Sequence, residues 1–576
     1  MARAPQSKDL LLMFDRPQEP IFMPKGDDGN VAFDVPSDLL ENRIQVDMGI
    51  VDRLGASQAD EHITVRSIAL PDLSIPQSIA RDQNFSLFIP LHRRAATRLI
   101  EIFLGMRNVD DLVSMCAACR ERVNPYLFNY ALSVALLHRP DTRNLPVPPL
   151  FENFPDKFVD GAIFSKARQE SEIFTAGSRQ PLEIPMDYTA SDLDIEHRLA
   201  YFREDLGINL HHWHWHLVYP FNGPRNIVDK NRRGELFYYM HQQIIARYNL
   251  ERFCNKLARV TRLLNWRDPI PEGYFPKLDS LVASRVWPPR HANALLSDVN
   301  REVDQLKVDI QDCERWRDRM YEAIHLGSII LETFSTIGDP ATAMRDPIFY
   351  RWHAFVDDVF QEHKATLPPY EVNRVENGTN SDKIGTVRIF LGPKFDERGV
   401  NMLFRDQRLL FIELDKFTVT LKPKTNNIER NANDSSVTIP FERTFRDLQT
   451  SRPSGGTSLE QFNFCGCGWP HHMLIPKGTP EGFPCELFVM VSNFDDDKIN
   501  QSIEGQCADA ASFCGIRDKL YPDKRNMGYP FDRMPRNGVN TLQDFLTPNM
   551  RVQDVKIRFT GQTFDVQGAE ITNSLT

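Results

Sequence analysis

The sequence predicts a multidomain α + β protein, with two helical domains followed by a C-terminal antiparallel β-sandwich. Apolar residues recur at the three- and four-residue spacing of helices from residue 90 to 138 and again across 191–365. After a Pro-Pro pair at 368–369 the pattern changes to short β-branched and aromatic runs, such as 386–391 and 486–491, with turn-rich stretches between them. The 576 residues suffice for three or four domains.

We divide the chain into four parts at these changes of pattern. Residues 1–53 are mixed and acidic, without a clear period, which suits either a removable pro-segment or a frayed terminus. An N-terminal helical domain follows at 54–190, a central helical domain at 191–365 and the β-sandwich at 366–576. Within the central domain, residues 295–334 have the pattern of one long, charged, solvated helix.

Composition and charge argue against several classes of protein. A net charge of −10 and a pI near 5.9 disfavour nucleic acid as a main partner. No apolar run approaches the roughly 20 residues of a membrane span. The apolar run at 10–14 is too short for the core of a signal peptide. We therefore expect a protein without a membrane span that stays inside the cell or leaves it by rupture.

Four of the fifteen histidines lie within six residues, 211–216, together with two tryptophans. We predict that this cluster ends a helix that begins near Ser191 and stops before Pro220. His212 and His216 are at positions i and i+4 and share one helix face, which is the spacing of two ligands of one metal ion. His211 and His214 lie off this face, so we do not expect them to be ligands.

A third ligand should come from a neighbouring helix, and His241 is the best candidate. It lies in a helical pattern that a short loop joins to the histidine cluster, so the two helices should be antiparallel neighbours. A site made of imidazoles alone suits copper, zinc or iron. The alternative is a polar, aromatic-lined helix surface whose histidines are hydrogen-bonded to water.

The cysteines of the last quarter allow two interpretations. Cys465, Cys467, Cys507 and Cys514 could form two disulfides, which would imply an oxidising final location. They could instead hold zinc, although their spacing differs from that of zinc fingers. We favour disulfides on that contrast.

Four stretches carry specific motifs, at 211–220, 233–241, 344–353 and 465–470. Through them, nearly the whole chain resembles the arthropod hemocyanin superfamily and, within it, the insect prophenoloxidases, which are type 3 copper proteins. The resemblance implies that His212, His216 and His241 bind the first of two copper ions.

The same resemblance implies a zymogen that, once activated, oxidises mono- and diphenols to quinones with dioxygen, as an early step of melanin formation in innate immunity. Arg53 and Leu54 resemble the site at which a serine protease activates such a zymogen. Phe88 resembles the aromatic residue that plugs the site of the uncut form, and its alternative role is that of a core residue. The family further implies a homo- or heterodimer in hemolymph, released without a signal peptide.

The second copper site departs from the family pattern. His353 matches its third ligand, but the histidine pair expected upstream is absent, and His325 is the only histidine between positions 291 and 353. The family's active-site glutamate belongs to the same absent block, and the sequence jumps at 327–329 as though a segment had been removed. A second gap falls near 370–374. We therefore predict an incomplete second site, one copper ion instead of two, and a shortened chain that could be inactive.

Two other functions compete with phenol oxidation. A non-enzymatic oxygen carrier would need both copper ions, and a storage relative tends to lose the copper histidines, whereas the first triad is intact here. An unrelated mononuclear zinc or copper protein would need only His212, His216 and His241, but the four motifs weigh against it.

Overall fold

The computed structural model describes residues 9–18, 30–34, 62–142, 145, 147–173, 178, 194–280, 285–303, 305–325, 340–371, 381–439, 468–502, 519–559, 563–564 and 570–571. None of the helices within these ranges has both the length and the apolar character that crossing a membrane requires. The sequence discontinuity at 327–329 lies outside the described residues, and the one near 370–374 does so from residue 372 onward.

The N-terminal part is built on three helices that pack together. In chain order its elements are α1 (Asp9–Leu12), β1 (Asn30–Asp34), β2 (His62–Arg66), α2 (Pro90–Leu104), α3 (Val109–Arg120) and α4 (Pro125–His138). The last three are the helices that the apolar spacing predicts. The side chain of Asn124 accepts hydrogen bonds from the first turn of α4, and Pro125 occupies the first helical position. Every residue of α4 except His138 is buried, so this helix forms the centre of the domain.

The central part is mostly helical. Its helices are α5 (Leu150–Asn153), α6 (Gly161–Ile173), α7 (Ala200–Arg203), α8 (Leu206–Val218), α9 (Arg225–Val228), α10 (Arg233–Cys254), α11 (Ile310–His325) and α12 (Pro347–Ala365). Between α10 and α11 lie two short antiparallel pairs, β3 (Asp279–Ser280) with β4 (Arg285–Val286) and β5 (Val299–Arg301) with β6 (Leu306–Val308).

The prediction that the histidine helix begins near Ser191 is wrong. The histidines lie on α8, which begins at Leu206, and the residues before it form a separate 3-10 turn and the short helix α7. Asp205 starts the new helix, because its side chain accepts a hydrogen bond from the backbone N–H of Ile208. The helix ends at Val218, two residues before Pro220, as predicted.

The prediction of one long helix over 295–334 is also wrong. The hairpin of β5 and β6 occupies its first part, and Gln305 makes the turn with a left-handed backbone, φ 54°. The helix α11 begins only at Ile310. Residues 326–334 lie outside the described ranges. Charged residues alternate with apolar ones both in the β5–β6 hairpin and in α11. The charge pattern therefore does not distinguish the strands from the helix.

The C-terminal part is organised on an antiparallel sheet, as predicted. Its elements are β7 (Lys383–Pro393), α13 (Phe404–Gln407), β8 (Ile412–Leu421), β9 (Thr438–Ile439), β10 (Trp469–Pro470), β11 (Phe483–Asn493), α14 (Phe494–Asp497), α15 (Leu542–Phe545), β12 (Met550–Ile557), β13 (Thr563–Phe564) and β14 (Glu570–Ile571). Four strands pair in the order β12-β11-β7-β8. The short strands β9 and β10 form a parallel pair, and β13 and β14 an antiparallel one.

The four-stranded sheet is covered on both faces. On one face, Leu391 and Ile412 pack against Leu250 of α10, which joins the sheet to the central helices. On the other face, Phe411 stacks on Phe531 with ring centroids 4.1 Å apart, beside the side chains of α15. The sheet therefore holds α10 rigidly on the side away from α8. The domain boundaries at residues 53, 190 and 365 stay predictions.

Candidate metal centre

Three histidine side chains converge between α8 and α10, as the sequence predicts. The Nε2 atom of His212 lies 3.2 Å from Nε2 of His216 and 3.4 Å from Nε2 of His241. All three rings are buried, with at most 5% of any side chain exposed. In the part of the chain that the structure describes, they form the one group of histidine, cysteine or acidic side chains close enough together to hold a metal ion.

In two of these rings, the nitrogen that points away from the site, Nδ1, is hydrogen-bonded to a backbone carbonyl. Nδ1 of His212 lies 2.5 Å from the carbonyl oxygen of Pro340, and Nδ1 of His241 lies 2.8 Å from that of Phe237. A carbonyl only accepts, so each Nδ1 carries the proton and each Nε2 is left with a bare lone pair. Two such lone pairs face each other at 3.4 Å. A cation between them would remove this repulsion, so the residues fit a metal ion.

The environment disfavours the protonated form of two of these imidazoles, and the neutral form is the one that binds metal. Burial, followed by the charge of His212, lowers the pKa of His216 and of His241 well below the usual value of 6.5. The same cause acts on His353, whose pKa is lowered by burial and then by His241. His216 and His241 are therefore neutral near pH 7, as metal binding requires.

The position of α8 depends on close contacts with the C-terminal domain. Gly207 lies so near Pro470 that a Cβ atom at this position would come within 2.8 Å of the proline Cγ atom. Asp205, which starts the helix, also contacts the ring Nε2 of His472 at 2.7 Å. The ring of His211 packs edge-on against Trp469, with centroids 5.5 Å apart. His211 and His214 do not join the converging group, as predicted.

The loop between the two histidine helices is closed by arginines. Arg233 donates hydrogen bonds to the carbonyl oxygens of Pro220 and Val228. Arg232 has a left-handed backbone, φ 55°, and donates to the carbonyl oxygens of Asp523 and Arg525. Because both ends of the loop are fixed, α10 begins at a defined place and His241 faces the pair on α8.

Aromatic rings line the site, and Phe221, Phe237 and Phe349 among them were not predicted as site residues. Phe221 stacks on His216 at 5.3 Å, Phe349 lies edge-on to His212 at 5.3 Å, and Phe237 lies 4.3 Å from His241. Trp215 covers the site from α8 itself, 5.1 Å from His216. Two of these rings have a sequence signal that could have found them, because Phe237 and Phe349 each lie four residues before a histidine of the site region.

His353 lies beside the triad but does not converge with it. Its ring stacks on that of His241, with centroids 4.1 Å apart and planes 9° from parallel. Its Nδ1 atom is buried and has no hydrogen-bond partner among the described residues. Parallel rings direct their lone pairs side by side instead of toward a common point. His353 therefore does not join His212, His216 and His241 as a fourth converging ligand.

Phe88 lies one ring away from the triad. Its ring contacts Phe221 edge-on at 5.4 Å, and Phe221 in turn stacks on His216. Phe85, in the same short stretch, is buried and stacks on His92 instead. The role of Phe88 as a plug stays a prediction.

Several predicted site residues lie outside the described ranges. They are Arg53, Leu54, Cys465, Cys467, Cys507 and Cys514. The cleavage site and the disulfides therefore stay predictions. The cysteines within the described ranges are free thiols, and burial raises the pKa of Cys119 to about 12 and that of Cys485 to about 12.

Models of three successive protein domains match the chain. They are "Hemocyanin, all-alpha domain" at residues 50–144, "Hemocyanin, copper containing domain" at 149–337 and 331–360, and "Hemocyanin, ig-like domain" at 369–559. The chain belongs to the hemocyanin family. The predicted family, fold class and metal are thereby confirmed, and copper is the ion that the histidine group fits. An unrelated mononuclear metal protein is excluded.

Curated relatives of this hemocyanin-family chain are phenoloxidases. Phenoloxidase 1 of Holotrichia diomphalia is 52% identical over 96% of this chain and 98% of the relative. Phenoloxidase 2 of Drosophila melanogaster is 50% identical over 96% of this chain and 99% of the relative. The first alignment runs over 670 residues although this chain has 576, so the relative contains residues that have no counterpart here. These relatives favour phenol oxidation over the carrier or storage alternative.

Two solved structures share the fold. A scorpion hemocyanin in its activated state has a TM-score of 0.73 and 35% sequence identity, covering 85% of this chain and 94% of that one. A crustacean hemolymph-type prophenoloxidase has a TM-score of 0.72, covering 96% of each chain, and at 24% identity it supports the fold alone.

Proposed function

We propose that this chain is a phenoloxidase-type copper protein whose His212, His216 and His241 bind one copper ion. The observation that carries the proposal is the convergence of three buried Nε2 atoms, two of them with their opposite ring nitrogen hydrogen-bonded to a backbone carbonyl. The relatives at 52% and 50% identity are named phenoloxidases, which supports phenol oxidation as the chemistry. In keeping with the family resemblance of the sequence, we propose that mono- and diphenols are oxidised to quinones with dioxygen.

The bound copper would supply the redox chemistry with dioxygen, and the chain's own residues prepare the place for it. Pro340 and Phe237 fix the tautomers of two ligands through their carbonyl oxygens. Phe221, Phe349 and Trp215 pack against the histidine rings, and we expect them to limit the entry of water. A dry, aromatic-walled site strengthens each metal–imidazole interaction and also suits a phenol ring as substrate.

We further propose that the second copper site is incomplete, so that one chain holds one copper ion and oxidises phenols weakly or not at all. His353 is the sole remnant of that site in the sequence, and it stacks on His241 instead of standing apart with its own partners. The copper-domain model matches in two pieces that overlap at 331–337, near the discontinuity at 327–329. Pro340, just after this junction, reaches back to His212, so the shortened chain still closes around the first site.

The same proposal includes a zymogen stage outside the cell. A serine protease would cut between Arg53 and Leu54, and Phe88, in contact with Phe221, would cover the site until then. The protein would act in hemolymph as a homo- or heterodimer. The four cysteines Cys465, Cys467, Cys507 and Cys514 would form disulfides there.

Copper content and turnover test this proposal together. The purified chain is loaded with copper, dialysed, and assayed for copper per chain and for dopamine oxidation before and after proteolysis. We expect one copper per chain and little turnover. Two copper ions with robust turnover would contradict the incomplete second site, and a chain that retains no copper would contradict the triad itself.

A further inference from the structure

The first described segment of the chain is part of the core of the N-terminal domain. Leu10, Met13 and Phe14 are completely buried and belong to the same hydrophobic cluster as the helices α2, α3 and α4. The segment reaches this cluster through α1, which packs against α3. A frayed terminus would leave such side chains in water, so residues 9–18 have a structural role.

The side chain of Arg120 connects residues 13–16 to the rest of the domain by hydrogen bonds. Arg120, at the last position of α3, is 1% exposed and donates hydrogen bonds to the carbonyl oxygens of Met13, Asp15 and Arg16, at 3.2, 2.6 and 2.8 Å. Arg16 adopts a left-handed backbone, φ 38°, where the segment turns at this contact. The positive charge of Arg120 is further compensated by the carboxylate of Glu121, 2.8 Å from its guanidinium. If the segment left, a buried guanidinium would lose three of its acceptors.

A strand pair gives the segment a second attachment. β1 pairs with β2 over five residues, from Asn30 opposite Arg66 to Asp34 opposite His62. β2 is itself fixed to α3, because the backbone N–H of Arg66 donates to Ser114 at 2.8 Å and its side chain forms an ion pair with Asp110. Residues 35–61, which connect the two strands, include the predicted cleavage site at Arg53 and Leu54.

We propose that a cut anywhere between Asp34 and His62 leaves the N-terminal fragment bound to the rest of the protein. The surface of α3 with Arg120 and the apolar cluster beside it is an interaction surface, and it is occupied by residues 9–18 of the same chain. Cleavage frees the two new chain ends but does not uncover the N-terminal core. This inference does not depend on the proposed copper chemistry, because no contact on which it rests involves the metal site.

The test uses the full-length chain with a recognition sequence for a site-specific protease in place of residues 50–56. The protein is cut, passed over a size-exclusion column in native buffer, and its main peak is analysed under denaturing conditions. We expect the fragment in the main peak in equal molar amount with the large fragment. A main peak that contains only the large fragment, with the small one eluting separately, would overturn the proposal.

A matched pair of variants identifies the contact that holds the fragment. Met13→Ala removes a fully buried side chain, whereas Leu11→Ala makes a similar truncation at a partly exposed position of the same segment. The cut Met13→Ala protein should release its fragment at least about tenfold more readily on dilution than the cut Leu11→Ala protein. Equal release from both would overturn the role of the buried face. If Met13→Ala does not fold, the unsubstituted cut protein still decides the main question.

Discussion

Two kinds of histidine lie side by side in the central domain: the converging ligands His212 and His241, and the neighbouring His353. They differ in the hydrogen-bond partner of the ring nitrogen Nδ1. Behind His212 and His241, a backbone carbonyl accepts the Nδ1 proton, which directs a lone pair from Nε2 into the shared space. Behind His353 no such acceptor exists among the described residues, and its Nδ1 is buried without a partner. A buried polar atom without a partner costs about 1–3 kcal/mol. His353 is therefore as buried as a metal ligand, but it lacks the hydrogen bond at Nδ1 that orients a ligand ring.

The comparison teaches that proximity does not make a ligand. His353 and His241 have ring centroids only 4.1 Å apart, yet their near-parallel planes prevent both from pointing at one ion. His212 and His216, with planes 84° apart, can do so. The residues that orient the ring decide which histidine binds. Among the described residues, such acceptors lie behind His212 and His241 of the first site and not behind His353.

The largest expected effect separates these two environments directly. His241→Ala should lower copper affinity by more than about 100-fold, because losing a ligand costs more than the 10–100-fold loss typical of a residue behind a ligand. His353→Ala should leave copper affinity nearly unchanged. Competition of each copper-loaded variant with a chelator of known affinity measures both values.

His363→Ala is the matched control, since this histidine lies on α12 with His353 but is partly exposed. It should bind copper as tightly as the unchanged chain. Equal losses in His241→Ala and His353→Ala would mean that both rings bind the metal and that the comparison above is mistaken.

A second prediction concerns pH and the buried histidines of the metal-free protein. Burial lowers the pKa of His211, His216, His241 and His353 in the folded state below the value of about 6.5 that unfolded histidine has. Below pH 6.5 the unfolded chain therefore binds protons that the folded chain does not, so the free energy of unfolding falls as pH falls. Each such group contributes at most about 1.4 kcal/mol per pH unit, or about 5.5 kcal/mol for four.

Urea unfolding of the metal-free protein at pH 7.5, 6.5 and 5.5 measures this dependence. The midpoint should change little between the first two values and fall clearly between the last two. His353→Ala should weaken the dependence by about one quarter, because it removes one of the four groups. A midpoint that stays constant down to pH 5.5 would show that these rings accept protons in the folded state.

Much of the first site could be predicted because its determinants are local. The i, i+4 spacing of His212 and His216 and the short loop before His241 are visible in the sequence, and they bring the three rings together as expected. The helices α2, α3 and α4 were likewise predicted from their apolar spacing. Apolar periodicity predicts a helix correctly when the helix packs against a single hydrophobic core.

What the sequence did not predict depends on contacts between distant residues. The acceptor for His212 is Pro340, 128 positions away, and the fastening of the N-terminal segment depends on Arg120, more than 100 positions away from the carbonyl groups that it binds. The start of α8 had a local signal in Asp205, a good helix-capping residue, but the charged, amphipathic pattern before it suggested one continuous helix. Stacking of His353 on His241 could not be inferred from spacing at all.

The smallest predicted effect concerns Asp205, which connects α8 to the C-terminal domain. Its Oδ1 accepts from the N–H of Ile208 at 3.0 Å, and its Oδ2 contacts His472 at 2.7 Å. Asp205→Ala removes both contacts and should lower the free energy of unfolding by about 1 kcal/mol, which is typical of a lost helix cap. His472→Ala removes only a surface contact and should cost less, between 0 and about 1 kcal/mol.

Asp205→Asn distinguishes the cap from the charge. Asparagine is as good a capping residue as aspartate, so this variant keeps the hydrogen bond to Ile208 and loses only the negative charge opposite His472. Urea unfolding should therefore place Asp205→Asn close to the unchanged chain and Asp205→Ala below it. If the two variants lose the same stability, the charge opposite His472, and not the start of the helix, is what Asp205 contributes. The copper-bearing helix would then be positioned mainly by the C-terminal domain.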